Sequence, residues 1–335
     1  MSTFKAFRVH TIEGKPVCRF ERLSRDDLDA GEVVIETAYS AITYKDAMAA
    51  RGVGKNVRTD RPCVTGVDLS GVVASSADPR FAKGDRVAVT NYKLGNEHDG
   101  GYADFARVPG NWIVPLPDGL SLYEAMGLGT SGLTAALAVD RLEQAGLTPA
   151  MGAVGITGAT GGVGSLAVNM FAQRGYEVVA ITGKRDQEGY LREIGAASVM
   201  WREDFLANRA ALAPSLFAGA LDNVGGIYLD RLMAKMQPAG KVAVAGMAVG
   251  AELATTVLPL VLRAIDILGI NVSRQLQMPE RKRLWDRMAT DLKPSHLPRI
   301  SRPIPFEALD RTMDRFFDAS TIGRIVVEVG ARAPG

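Results

Sequence analysis

Cysteine is scarce in this 335-residue chain: only Cys18 and Cys63 occur, with no CxxC pair and no metal-ligand spacing. That excludes a disulfide framework and fits a reducing compartment. The two thiols read as ordinary half-buried side chains. Histidine is equally sparse, and His10, His98 and His296 are scattered, whereas zinc needs ligands that converge. Neither charge sign is in excess. The formal net charge is +2, so no long-range field points to nucleic acid or to an anionic membrane. No long hydrophobic run is present either: the most apolar stretch, 255–270, is broken by Pro259, Arg263 and Asp266, which rules it out as a membrane span. The N-terminus lacks the apolar core of a signal peptide. A cytoplasmic protein is expected.

What is present is ordinary globular material, 47% hydrophobic and 23% charged, in a length that predicts two domains or one with a large insertion. Phe4 to Val9, Glu32 to Thr37, Ser70 to Ala74 and Arg86 to Thr90 read as short strands. Turn signals such as Ala77-Asp78-Pro79 and Lys83-Gly84-Asp85 separate them. This texture predicts a mostly β domain over 1–120. Val114 to Gly119 then punctuates the chain, and a helix is predicted with Ser121 as N-cap and Glu124 three residues on.

Over 121–270 the texture alternates. Ala153 to Thr157 and Val178 to Thr182 look like buried strands, and between them Val163, Leu166, Ala167, Met170 and Phe171 recur on one helix face. Further strands are expected at Ser198 to Met200, Ala218 to Asn223 and Lys241 to Ala245. Such alternation makes a doubly wound parallel sheet, so the fold class is α/β. The remainder, 271–335, closes on the β-rich Gly323 to Val329, which has the texture of the first domain and is expected to return to it.

The turn Gly158-Ala159-Thr160-Gly161-Gly162-Val163-Gly164 lies between a predicted strand and an amphipathic helix. A pyrophosphate site needs a tight turn, close backbone approach and tight helix–strand packing. The free N–H groups and the positive end of the helix then face the anion. Gly161 and Gly164 fit the second and third glycines of GxGxxG, and Ala159 replaces the first. An NAD site usually carries Asp or Glu at the end of the next strand. Here Thr182-Gly183-Lys184-Arg185 offers a hydroxyl, a glycine and two cations, with Asp186 only beyond them. That pattern suits the 2′-phosphate of NADPH.

Several segments carry a family resemblance. They are Thr43-Tyr44-Lys45-Asp46-Ala47, Gly66-Val67-Asp68-Leu69-Ser70-Gly71 and Gly84-Asp85-Arg86-Val87. To these add the run from Gly129 to Ala135, the glycine turn, and Gly323-Arg324-Ile325-Val326. In their order and spacing the chain resembles medium-chain dehydrogenases/reductases of the quinone-oxidoreductase branch, especially the acryloyl-CoA reductase group. The resemblance implies a GroES-like catalytic domain built from both ends of the chain, a Rossmann domain between, and an active site in the cleft. It also implies a homodimer formed through sheet edges near Ile265 to Val272.

By motif position, Tyr44 would stand beside the nicotinamide and is the candidate catalytic residue. Thr160, Gly161, Gly162, Val163 and Gly164 would hold the pyrophosphate. Thr182, Gly183, Lys184, Arg185 and Arg202 would hold the adenosine phosphate, and Met247 and Val261 the nicotinamide half. The group usually has Asn where Thr43 stands, and the loop Asn91 to Gly101 departs from its pattern. Lys55, Arg58 and Arg61 would meet coenzyme A phosphates or form a solvated basic loop. Zinc-bearing relatives use a Cys and a Gly-His-Glu signature where this chain has Ala41-Ile42-Thr43 and Gly66-Val67-Asp68, so no metal is expected. Alcohol oxidation thereby loses its Lewis acid. The expected activity is NADPH-dependent reduction of an activated C=C bond, acryloyl-CoA to propanoyl-CoA, so the partner is a short acyl-CoA thioester. A quinone or general enone oxidoreductase and a non-catalytic NADPH-binding protein are the alternatives.

Overall fold

The computed structural model describes residues 3–54, 57–273, 275–318 and 320–330. The chain forms two units. The first comprises Met1–Thr130, Leu276–Ala289 and Ser301–Gly335, and the second Ser131–Gln275 and Thr290–Ile300.

The first unit opens with β1 (Phe4–Ile12) and β2 (Lys15–Leu23), an antiparallel hairpin. Its two turn residues, Glu13 and Gly14, both have positive φ, as the turn that matches strand twist requires. There follow β3 (Val33–Ile42), α1 (Tyr44–Arg51), β4 (Cys63–Val64), β5 (Asp68–Ser76), β6 (Arg86–Thr90), β7 (Phe105–Val108) and β8 (Ile113–Pro115). The helical run α2 (Leu122–Gln144) passes out of this unit after Thr130 and is interrupted at Gly129. At its start Glu124 N donates to Ser121 Oγ and Ser121 N donates to the Glu124 carboxylate, the expected capping box.

In the second unit β9 (Val154–Thr157), α3 (Gly162–Gln173), β10 (Val178–Thr182), α4 (Glu188–Glu193), β11 (Ser198–Trp201) and α5 (Arg202–Ala207) come first. Then come β12 (Phe217–Asp222), α6 (Ile227–Ala234), β13 (Met236–Val244), α7 (Leu258–Leu262) and β14 (Asp266–Gly269). Its six strands are parallel, in the order β11-β10-β9-β12-β13-β14. Strand β10 is buried at every position, as a sheet covered on both faces demands. On α3, Leu166, Ala167, Met170 and Phe171 are buried.

The chain re-enters the first unit with α8 (Met278–Ala289), crosses the second with α9 (Leu297–Ile300), and closes in the first with β15 (Ser301–Pro305), α10 (Leu309–Met313) and β16 (Arg324–Glu328). Strand β16 pairs antiparallel with β3. Segment 290–300 lies with the second unit although the sequence reading placed all of 271–335 with the first. Side-chain chemistry explains it: Asn169 Nδ2 meets His296 Nδ1 at 3.1 Å, and Arg299 bonds Glu193 at 2.8 Å while its guanidinium lies over the Tyr190 ring.

In the first unit apolar side chains cluster around Phe7, Ile42, Tyr102 and Ile325, and around Ile35, Leu69 and Val89. The second unit is centred on Ile181, Phe205, Phe217 and Val242.

Candidate nucleotide site and the Tyr44 helix

Strand order in the second unit reverses between β9 and β12, the place where such sheets open a crevice at their carboxyl ends. Both strand ends carry the expected equipment. After Thr157 the chain turns at Gly158, φ 59°, and Gly161 caps α3 with its N–H on Gly158 O at 2.9 Å. A Cβ on Gly164 would lie 2.2 Å from Gly158 O, so glycine alone lets the helix start this close to the strand. Ala159 stands in place of glycine without backbone strain, since its φ is not positive. The first-turn N–H groups of α3, among them those of Gly162 and Val163, have no intrahelical acceptor and form an anion cradle. Thr160 is buried in the same turn. These residues fit a pyrophosphate.

The opposite lip was missed in the sequence reading. Asp222 ends β12 and is fully buried; its carboxylate accepts from Thr157 Oγ1 at 2.6 Å and from Gly225 N at 2.8 Å. Burial raises its pKa, against the pull of these hydrogen bonds. Asn223 Nδ2 donates to Thr157 O at 2.9 Å, locking the two strand ends together. The signal was available: Asp222-Asn223-Val224-Gly225-Gly226 follows an apolar strand at its carboxyl end. Met247 comes to this lip, its Cα lying 2.9 Å from where a Gly225 Cβ would be, with its side chain 72% exposed. Val261 stands on α7, in an exposed apolar surface with Val257, Leu260 and Leu262.

At the end of β10, Thr182 Oγ1 accepts from Lys184 N at 3.1 Å. Arg202, the first residue of α5, packs against Gly183, and Arg185 lies over the Trp201 ring at 4.9 Å. Glu203 pairs with both arginines, at 3.4 and 3.3 Å. Asp186 accepts from Gln187 at 2.7 Å. Thr182, Gly183, Arg185 and Arg202 are thus gathered, with Lys184 beside them.

In the first unit Tyr44 opens α1, 41% exposed, its ring 5.8 Å from that of Phe317. The helix starts there because Thr43 N and Oγ1 both donate to Asp46 Oδ2, at 2.8 and 2.6 Å. Thr43 therefore works as the cap. Asp46 Oδ1 also accepts from Val67 N at 3.0 Å. Burial lifts the Asp46 carboxyl to about 6, the Thr43 hydrogen bonds only partly opposing it.

Of the basic residues expected either to meet phosphates or to form a solvated loop, Arg58 does neither. The Arg58 guanidinium is held by Asp29, by Asp99 at 2.8 Å and by Pro62 O at 2.7 Å. Its side chain is only 7% exposed. Arg61 pairs with Asp29 and Asp60, and Lys55 lies outside the described residues. Burial opposes ionisation of Asp29, but the hydrogen bonds from Arg58 and Arg61 outweigh it and hold its carboxyl at about 2. The loop Asn91 to Gly101 is pinned by the same network, since Asp99 N donates to Asp29 at 2.9 Å.

The histidines are engaged separately: His10 with Glu21, His98 with backbone oxygens of Asp99 and Ala30, and His296 with Asn169. Burial raises the Cys63 thiol to about 12. Among the described residues no group of three or more His, Cys, Asp or Glu is placed to hold a metal ion.

The pattern described as the Alcohol dehydrogenase GroES-like domain matches residues 29–118, and that described as Zinc-binding dehydrogenase matches 162–290. YhfP of Bacillus subtilis, assigned as a quinone oxidoreductase, is 44% identical over 98% of this chain and 100% of its own. The chain belongs to the medium-chain dehydrogenase/reductase superfamily, in its quinone-oxidoreductase branch.

As a member of that branch it is an oxidoreductase, with a GroES-like domain and a Rossmann-type domain. The acrylyl-CoA reductase AcuI of Ruegeria pomeroyi is 40% identical over 95% of this chain and 96% of its own. The YhfP crystal structure with NAD bound superposes with a TM-score of 0.94, at 43% identity, covering 98% of this chain and 100% of that one. YhdH of Escherichia coli K-12 with bound NADPH gives 0.93 at 36% identity, covering 97% and 100%. At the positions where zinc-bearing relatives carry their ligands, Thr43 is a helix cap, Val67 is apolar, and Asp68 is committed to Thr130 and Arg324. No helix among the described residues is long and apolar enough to cross a membrane.

Proposed function

We propose that this protein is an NADPH-dependent reductase of the conjugated C=C bond of a short α,β-unsaturated thioester, converting acryloyl-CoA to propanoyl-CoA. The observation that carries the reading is the 40% identity to AcuI over nearly the whole chain. The cofactor choice rests on the residues themselves. The end of β10 presents Thr182, Gly183, Lys184 and Arg185, joined by Arg202, where a ribose-binding acid would select NAD.

NADPH, when bound, supplies a hydride. The turn Thr160 to Gly164 binds its pyrophosphate at the start of α3, and the Lys184, Arg185 and Arg202 cluster binds its 2′-phosphate. Met247 and Val261 border the nicotinamide half. Tyr44 orients the ring or hydrogen-bonds the acceptor's oxygen, a role its exposure at the head of α1 permits. The protein's own contribution to rate is placed donors for the oxygen that gains charge.

A quinone or simple enone acceptor is the second reading, favoured by the resemblance to YhfP and by the engagement of Arg58 with Asp29 and Asp99. Loss of NADPH absorbance with acryloyl-CoA, crotonyl-CoA, a simple quinone and a free enone under identical conditions separates the two. If neither thioester is reduced, the first reading is abandoned.

A second copy of this chain is the proposed partner. Strand β14 is the edge of the six-stranded sheet, and Val257, Val261, Leu262 and Ile267 expose apolar surface in the same stretch. Such an edge invites pairing. A monomeric mass in solution would remove this partner.

A further inference from the structure

Lys45 is placed against helix physics. It occupies the first turn of α1, beside Tyr44, where the positive end of the helix disfavours a cation. No carboxylate lies within ion-pair distance of it among the described residues. Its ammonium instead donates to a neutral acceptor, Asn91 Oδ1, at 3.3 Å. From there a hydrogen-bond chain runs in one direction. Asn91 Nδ2 donates to Thr130 Oγ1 at 3.0 Å, and Thr130 Oγ1 donates to the fully buried Asp68. Thr130 N and Arg324 complete the shell around that carboxylate.

The link that meets Lys45 is strained. Asn91 and Tyr92 are consecutive non-glycine residues with φ of 63° and 59°. Such strain persists only where the surroundings over-determine it, and here they do. Tyr92 stacks on Trp112 with ring centroids 5.6 Å apart, and the Arg281 guanidinium lies 4.5 Å from the Tyr92 centroid. Arg281 is itself buried and donates to Thr90 O and Oγ1. A costly backbone thus aims one amide oxygen at one lysine. Held by a single amide oxygen rather than by a carboxylate, the ammonium has further N–H donors to offer.

We infer that Lys45 is a catalytic donor to the acceptor's carbonyl oxygen, and that Asn91, Thr130 and Asp68 are the residues that position it. The inference rests on the proposed reduction of a conjugated carbonyl compound. Hydride brings two electrons to the β-carbon, and the C=C π pair moves so that the carbonyl oxygen becomes an enolate. An N–H of Lys45 hydrogen-bonds that oxygen without surrendering its proton. The pair returns when the α-carbon takes a proton from water.

The test compares wild type, Lys45→Met and Lys45→Arg, using whichever of acryloyl-CoA, a free enone or a quinone the wild type turns over. Each of these develops negative charge on an oxygen. Lys45→Met is expected to lower kcat about 100-fold, the usual loss on removing such a donor. NADPH affinity and the unfolding midpoint should be unchanged, and Lys45→Arg should recover about a tenth of the activity or more. A Lys45→Met enzyme within about threefold of wild type overturns the inference and leaves the reaction class standing. So does parallel loss of NADPH binding and thermal stability, which would mark a structural role. A wild type inert on all three acceptors removes reading and inference together.

Discussion

Arg202 lies against the backbone of Gly183: a Cβ at position 183 would come within 2.9 Å of the Arg202 Cζ. The cation of one strand end is thereby held over the turn that ends its neighbour, with Arg185 beside it on Trp201. If this is the 2′-phosphate site, its removal must discriminate between cofactors. The Arg185→Ala, Arg202→Ala double variant is expected to raise the KM for NADPH at least tenfold, charged hydrogen bonds being worth about 1.5–3 kcal/mol each. The KM for NADH should move by less than twofold. Steady-state kinetics with both nucleotides decides it, and equal changes would place the phosphate elsewhere.

Glu203 stands between those arginines and pairs with both. It offsets one positive charge where an incoming phosphate needs them all. The pairs are half exposed, so the arginines gain little stability from it; the consequence lies in selectivity. Glu203→Gln should tighten NADPH about three- to tenfold, a like-charge contact near a protein surface being worth about 1 kcal/mol or slightly more. NADH should be unaffected, and the gain should shrink as salt rises. Fluorescence titration at two ionic strengths checks this, and unchanged or weaker NADPH binding would refute it.

Gly164 can be tested for the packing that brings helix to strand. Alanine there would place a Cβ 2.2 Å from Gly158 O, a backbone atom that cannot swing aside. Helix α3 must retreat, and overpacking of this kind costs about 1–3 kcal/mol. The expected result for Gly164→Ala is a lower melting midpoint and loss of binding of both nucleotides. Gly189, in α4, has nothing within 4 Å of its would-be Cβ. Gly189→Ala should be neutral or stabilising by up to about 1 kcal/mol. Similar behaviour of the two variants would show that close approach is not what position 164 provides.

The parts of this molecule that the sequence disclosed are those governed by local rules. Strand β10 was expected at Val178 to Thr182 and is found there, because a fully buried parallel strand needs an unbroken apolar run. The Ser121 and Glu124 capping box is equally local. What escaped depends on partners distant in sequence. The burial of Arg58 between Asp29 and Asp99 turns an apparent phosphate ligand into a structural brace. No periodicity reports that these three meet. Asp222 and Asn223 were legible in principle, since a polar pair followed by two glycines at the carboxyl end of a buried strand marks a crevice lip. The strain at Asn91 and Tyr92 was not, since both are ordinary residues whose left-handed backbone is imposed by Trp112 and Arg281.

The buried carboxyl of Asp46 gives the fold a pH signature. Burial pushes its pKa from 3.8 to about 6, and the neighbouring Asp68 adds to the push, while Thr43 and Val67 pull the other way. In the unfolded chain the group titrates near its ordinary value, about 4. The folded protein therefore binds the proton more tightly, and the contribution of Asp46 to stability is fully present below about pH 4. It is lost as the pH rises through 6. The full swing is at most about 3 kcal/mol, and the nearby charge of Asp68 supplies a small part of it. Asp46→Asn resembles the protonated form at every pH. Its carboxamide leaves one of the three donors from Thr43 and Val67 poorly matched, which costs about 1–3 kcal/mol, but that cost does not titrate. Relative to wild type, the variant should gain stability between pH 4 and pH 6 and then level off. Thermal melts of both proteins from pH 4 to pH 8 give the comparison. Curves that stay parallel across that interval would mean that Asp46 is ionised throughout and that its three hydrogen bonds outweigh its burial.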